Sequence, residues 1–471
     1  MDKTEIPFLT AAQLSRLIQD KEVSPVEATE AYLERIDRVD SKLNSYITVC
    51  RDEALRSARE AERAIAAGRY LGALHGVPLA VKDQFYTNGI LTTGGSTILS
   101  DFVPDEDATV VAKLNNAGAV LLGKLNLSEF ALGESFHHPA GTPRNPWNLE
   151  RNPGISSSGS AAATAAFLCA TSLGEDTGGS TRIPAAWTGL VGLRPTWGRV
   201  SRYGVLPVCW SMDTVGPISR TVEDCAITFQ AIAGYDPKDP STWAEPVPDY
   251  RQALDGNVRG VRVGVIREKM DGDDLDREIR EAVVAAVSML GELGATVEQV
   301  SLPLIETAGP VSKCLTDLDG AIVHHEGLKA RAGEYDHNTR VRLLTAILTP
   351  AQAYYKAQKM RALIRQQILE LLETVDVLVL PSSPAVAPLI PDGPGIKSQE
   401  DAHGRMSGIR SYTGPFNLAG VPALCLPCGF TAENMPISLQ IVGRPFQEAT
   451  VMKVAHAYEQ NTPWHTRRPP I

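Results

Sequence analysis

Residues 174–185 read Gly-Glu-Asp-Thr-Gly-Gly-Ser-Thr-Arg-Ile-Pro-Ala. Ser180 follows two glycines, residues that reach backbone conformations closed to others. Consecutive N–H groups can therefore converge on a developing oxyanion while the hydroxyl faces the same carbonyl carbon. Such a loop suits acyl transfer. Gly-Gly-Ser is also ordinary turn material, so the flanking sequence has to decide.

Upstream lies a second serine cluster, Asn-Pro-Gly-Ile-Ser-Ser-Ser-Gly-Ser at 152–160, joined to the first by small residues. A third segment, Gly-Val-Pro-Leu-Ala-Val-Lys-Asp at 76–83, ends an apolar run on a lysine, as a buried strand delivering a basic side chain would. Together the three resemble the amidase signature family, and the resemblance extends from Leu9 to Ala-Gly-Val-Pro-Ala at 419–423 and Leu-Gln-Ile-Val-Gly at 439–443. It implies an α/β fold: an α/β/α sandwich around a large central mixed β-sheet flanked by helices. One domain would span 1–471, with an N-terminal helical segment to about 70, a signature core over about 71–235 and a C-terminal portion from about 258.

The resemblance also implies roles. Ser180 maps to the nucleophile, Ser156 to the helper serine and Lys82 to the ultimate base of a Ser-Ser-Lys relay, in which no histidine is needed. The N–H groups of Thr177, Gly178, Gly179 and Ser180 would form the oxyanion hole. Ser157, Asp176, Arg182 and Asp213 would support the loop, and Gly133, Glu134, Ser135 and Phe136 would line the substrate pocket. The bond before the helper serine is cis in the family, which here is Ile155–Ser156. Two departures fall on this loop: Ile155 and Ser158 stand where the family usually has glycine.

The chemistry makes a demand on Lys82. A lysine near pKa 10.4 is neutral in only about one molecule in two thousand at pH 7. Lowering that value to roughly 7–8 costs about 3–4 kcal/mol, which burial among Val77, Leu79 and Val81 could supply. The local pattern alone equally permits a charged Lys82 paired with Asp83, and an Asp176–Arg182 pair on a solvated surface.

The composition, 43% hydrophobic and 21% charged with no apolar run approaching twenty residues, fits a soluble enzyme. The start, Met-Asp-Lys-Thr-Glu-Ile-Pro, resembles neither a secretory signal nor a transit peptide, so a cytoplasmic location is expected. The seven cysteines suit a reducing compartment. Cys425-x-x-Cys428 lacks a second pair, and the adjacent histidines 137–138 and 324–325 diverge, so neither a metal nor a cofactor is expected. Gly-Ala-Val-Leu-Leu-Gly-Lys-Leu at 118–125 misses the hydroxyl of a phosphate-binding loop and reads as a buried strand. A net charge of −10 argues against nucleic acid.

Helices are expected near 10–20, 24–39 and 51–67, with Ser24-Pro25 as N-cap and first helical residue. Strands are expected at 77–82, 119–122 and near 171–174, and helices at 107–117 and 158–170. An exposed excursion at 236–250 precedes a strand at 261–266, helices at 275–293 and 350–374, and a buried strand at 376–381. The Pro- and Gly-rich stretch 384–404 could be a mobile loop over the pocket or a plain connection. The function expected is hydrolysis of a small amide, carbamate or related compound through a Ser180 acyl-enzyme, with no nucleic-acid or membrane partner and at most a second copy of the chain. Two alternatives stand beside it: the glutamine-hydrolysing subunit of an aminoacyl-tRNA amidotransferase, and an inactive ligand-binding homologue.

Overall fold

A computed structural model describes residues 2–133, 138–391, 393 and 410–471. Its spine is one eleven-stranded mixed sheet. The strands are β1 (Tyr46–Val49), β2 (Pro78–Lys82), β3 (Val120–Leu125), β4 (Thr171–Glu175), β5 (Val191–Arg194), β6 (Val215–Ser219), β7 (Arg262–Ile266), β8 (Thr296–Val300), β9 (Val377–Pro381), β10 (Ala423–Phe430) and β11 (Pro436–Gly443). They lie in the order β1-β3-β2-β4-β6-β5-β10-β11-β9-β7-β8. β2 runs parallel to β3 and β4, and β7 parallel to β8 and β9, while the other neighbours are antiparallel.

The apolar runs become central strands because both faces are covered. On β9, Val377 and Val379 enter one hydrophobic cluster and Leu378 and Leu380 another, as alternate residues of a doubly buried strand must. β8 closes the sheet, and four of its five residues are exposed. The strand expected at 119–122 is β3, which runs on to Leu125, and Lys124 on it is wholly buried against Asp83, at 3.2 Å. That contact removes Asp83 as a partner for Lys82.

Helix starts follow the capping signals. Thr10 and Gln13 cap Ala11–Gln19 reciprocally, and Ser24 and Glu27 do the same for Pro25–Val39 with proline at its start, each cap contributing about 1 kcal/mol. The helices Arg51–Ala66, Thr109–Asn116, Arg277–Glu292 and Ala351–Thr374 also lie where periodicity puts them. The helix after the serine cluster is shorter than its small-residue run suggests. It covers Ser158–Ala165 and ends because Phe167 takes a left-handed φ of 61°. The excursion at 236–250 is exposed only in part. Asp236 is buried and accepts from Ser201 and Thr109 at 2.5 Å, and Asp239 accepts from the Arg202 N–H at 2.8 Å. Of the proposed mobile stretch, residues 392 and 394–404 lie outside the described residues.

Candidate active site

Parallel pairing of β2 with β4, with Val81 opposite Leu173, brings Lys82 and Glu175 to the same edge of the sheet as the last residues of their strands. The carboxyl ends of parallel strands are where open α/β sheets bind ligands. The Ser156–Ser157 turn lies over this edge. Ser157 Oγ donates to the Glu175 carbonyl at 3.3 Å, and the Lys82 ammonium donates to Ser156 Oγ at 2.7 Å. The Ile155–Ser156 peptide is cis. Ile155 is half-buried, so its branched side chain is not forced into the core, whereas Ser158 Oγ is buried with no hydrogen-bond partner among the described residues.

The Ser180 loop leaves β4 through Asp176 and is held from inside. Asp176 accepts from Gly179 N–H at 2.8 Å, Thr181 N–H at 3.2 Å, Arg182 Nε at 3.0 Å and Asn417 Nδ2 at 2.7 Å, with Arg194 at 3.6 Å. Arg182 and Arg194 are wholly buried, which excludes a solvated Asp176–Arg182 pair. Burial alone would raise the Asp176 carboxyl, but the two guanidiniums and these donors hold it well below the usual carboxylate range. Gly179 has φ 125°, and a methyl group there would lie 2.4 Å from Thr413 Oγ1, which donates to the Gly178 carbonyl. Only glycine fits both constraints.

With the Gly179 N–H turned to Asp176, the oxyanion donors left among the expected four are those of Thr177, Gly178 and Ser180. None of these three has a hydrogen-bond partner among the described residues. Ser180, whose hydroxyl is expected to react, is half-buried, whereas every other residue between 171 and 188 is buried. Gly133 is buried, with its N–H donating to the Glu129 carbonyl at 2.9 Å, while Glu134, Ser135 and Phe136 lie outside the described residues.

Sequence reasoning missed Glu175. Its Oε2 stands 3.6 Å from the Lys82 ammonium, and its Oε1 accepts from Thr177 Oγ1 at 2.6 Å. The same hydroxyl lies 2.7 Å from Asp213 Oδ1, and Asp213 accepts in turn from Val208 N–H at 2.9 Å. Burial, then the nearby Asp213 charge, pushes the Glu175 carboxyl up to about 7, against the pull of Lys82. Burial likewise lowers the Lys82 pKa, and the Glu175 charge opposes that lowering. Burial thus works against the charge on each member of the pair, while their mutual attraction works for it. The sequence does carry a signal, a carboxylate directly before Asp176, but only strand register sets it against the lysine.

A proton acceptor must be neutral, so a reaction that uses Lys82 gains rate as pH rises through its lowered pKa. Glu175→Gln keeps an acceptor for Thr177 and removes the charge that pulls the lysine upward. The acid limb of the pH–rate profile is expected to move to lower pH in this variant, and an unmoved or raised limb would contradict the coupling.

Comparison with known proteins extends the geometry. A family model described as Amidase matches residues 27–452. A glutamyl-tRNA(Gln) amidotransferase subunit from Moorella thermoacetica is 42% identical, covering 99% of each chain. One of the same name from Geobacter metallireducens is 44% identical over 98% of this chain and 99% of its own. The solved structure of the corresponding glutamyl-tRNA(Gln) amidotransferase subunit from Thermotoga maritima superposes with a TM-score of 0.80 at 34% identity, covering 97% of this chain and 96% of that one.

These relatives overturn two expectations. A free-standing hydrolase of small amides or carbamates fits less well than the amidotransferase alternative, since the relatives of that name match end to end. The expectation of no nucleic-acid partner falls with it, because those relatives are named for a tRNA. A net charge of −10 is a sum over the whole chain and does not say where charges lie. Among the described residues, no helix is long and apolar enough to cross a membrane. The chain belongs to the amidase signature family and is a hydrolase of carbon–nitrogen bonds other than peptide bonds.

Proposed function

We propose that the chain is the glutamine-hydrolysing subunit of an aminoacyl-tRNA amidotransferase, acting in the cytoplasm beside partner subunits. The observation that carries this reading is the end-to-end match, at 42–44% identity, to proteins named as one subunit of glutamyl-tRNA(Gln) amidotransferase. The chemistry of the site supports it. Neutral Lys82 takes the Ser180 proton through Ser156, and Ser180 Oγ attacks the carboxamide carbon. The N–H groups of Thr177, Gly178 and Ser180 meet the oxyanion, each such donor being worth about a hundredfold to a thousandfold in rate. As the C–N bond breaks, the relay returns the proton to nitrogen, so ammonia leaves rather than an amide anion. Water then cleaves the Ser180 ester and releases the carboxylate. Ser157, Asp176, Arg182 and Asp213 hold the loop without touching substrate.

The test is glutamine-dependent conversion of Glu-tRNA(Gln) to Gln-tRNA(Gln) by the chain assembled with its partner subunits. Conversion is expected with the wild type and lost with Ser180→Ala, while ammonium chloride restores it in that variant. Failure of the chain to join the complex, or conversion unaffected by Ser180→Ala, would overturn the reading.

A further inference from the structure

A cavity of about 410 Å³ opens at the sheet edge that carries the Ser180 loop, and the relay does not use it. β5 and β11 run parallel to β4, each through antiparallel neighbours, so the residues that follow them leave the sheet at the same end as Glu175. Trp197 follows β5, Phe446 follows β11, and Trp243 joins them from the 236–250 excursion, edge-on to Phe446 at 6.1 Å. Gly198 makes room for this, since a methyl group there would lie 2.5 Å from the Trp243 ring. Phe446 holds a left-handed φ of 62° and donates its N–H to Thr196 Oγ1 at 2.8 Å. Bulky side chains rarely adopt that conformation, and residues held in it gather at ligand sites.

The helix Ala351–Thr374 supplies a cationic wall through Arg361 and Arg365. Like charges one turn apart destabilise a helix, and neither guanidinium forms an ion pair among the described residues, although the Asp319 charge reaches Arg361. Arg361 donates to the Leu418 and Ser211 carbonyls at 3.0 and 2.9 Å. Arg365 has no hydrogen-bond partner among the described residues. A methyl group on Gly420 would lie 3.4 Å from its Nη1 and 3.5 Å from Trp197 Cβ, so this guanidinium stands beside the aromatic wall. Trp197 Nε1 is buried and has no acceptor among the described residues. Flat rings next to an uncommitted guanidinium match the two halves of a nucleotide: any base stacks on an aromatic side chain, and a guanidinium meets phosphate oxygens in pairs. An aliphatic acid would leave the rings unused, and an uncharged ring would leave Arg365 unused.

We infer that this cavity binds an unpaired nucleotide, with its base against Trp243 and Phe446 and its phosphate on Arg365. The chemistry is shared by a free nucleotide and by the single-stranded end of an RNA. The site is separate from the Ser180 reaction and does not rest on it.

The test is equilibrium dialysis of the full chain against labelled AMP, adenosine, inorganic phosphate and the single-stranded trinucleotide rA3, repeated with Arg365→Glu and Trp243→Ala. Both side chains are exposed, so both variants should fold, which circular dichroism checks. AMP is expected to bind about tenfold more tightly than adenosine or phosphate, because only AMP engages both walls. Arg365→Glu is expected to weaken AMP about tenfold and leave adenosine unchanged, whereas Trp243→Ala weakens both by about tenfold. Tighter binding of rA3 than of AMP assigns the site to the end of an RNA strand, and the reverse order assigns it to a free nucleotide; either supports the inference. No binding of AMP or rA3, AMP no tighter than adenosine, or affinity indifferent to either substitution would overturn it.

Discussion

Lys82→Met is expected to lower the rate of Ser180 acylation by about ten-thousandfold, with Ser180→Ala at least as severe, as for other nucleophile–base pairs that act as a unit. A serine hydroxyl is a weak nucleophile until a base removes its proton. In the proposed relay Lys82 is that base: its amine is the group bonded to Ser156, and the neighbouring carboxyl, Glu175, is pushed up to about 7. Methionine keeps the length and the apolar packing of a side chain that is wholly buried, so the fold should persist. Ammonia release by purified variants, with circular dichroism as the check on folding, measures the effect. Near wild-type turnover in folded Lys82→Met would remove lysine from the mechanism.

Asp176→Ala is expected to destabilise the chain by about 3–5 kcal/mol, the usual cost of removing one partner from a buried charged network. The substitution strips the carboxylate from Arg182 and Arg194, both wholly buried, leaves the Gly179 and Thr181 N–H groups without their acceptor, and reduces the Asn417 amide to its longer bond with the main-chain carbonyl of residue 176. Arg182 would keep Gln440, Asn417 and the Thr413 carbonyl, which hold its geometry but do not neutralise it. An exposed pair calibrates the measurement. Arg277 and Glu281 lie 3.1 Å apart with both side chains more than half exposed. Glu281→Ala should therefore cost about 0.5 kcal/mol or less. Denaturant unfolding of the two variants would separate them, and similar midpoints would mean that Asp176 does not carry the loop.

The parts of this site legible in the sequence are those encoded locally. Ser180 after two glycines, Ser156 in a serine cluster and Lys82 at the end of an apolar run each announce their chemistry within a few residues. Thr10, Ser24 and Pro25 likewise set helix starts. What was hidden depends on register and long-range contact. Glu175 sits directly before Asp176, yet nothing local says that β4 pairs with β2 and sets it against Lys82. Asn417, Gln440 and Arg194 reach Asp176 or Arg182 from distant elements, and local reading could not tell a solvated ion pair from a buried one. The small residues of 158–170 favour one continuous helix, but it stops at Ala165 because Phe167 turns the chain by adopting a left-handed conformation. The misjudged partner came from the crudest quantity, the net charge, which contains no positions.

The most direct test of the Ser-Ser-Lys relay is reaction of the wild-type chain and Lys82→Met with a fluorophosphonate, followed by intact mass and peptide mapping across pH. A single phosphonyl adduct on Ser180 is predicted, forming faster as pH rises through the lowered Lys82 pKa and scarcely forming in Lys82→Met. An adduct on another residue, or equal labelling of Ser180 in the two proteins, would contradict the account.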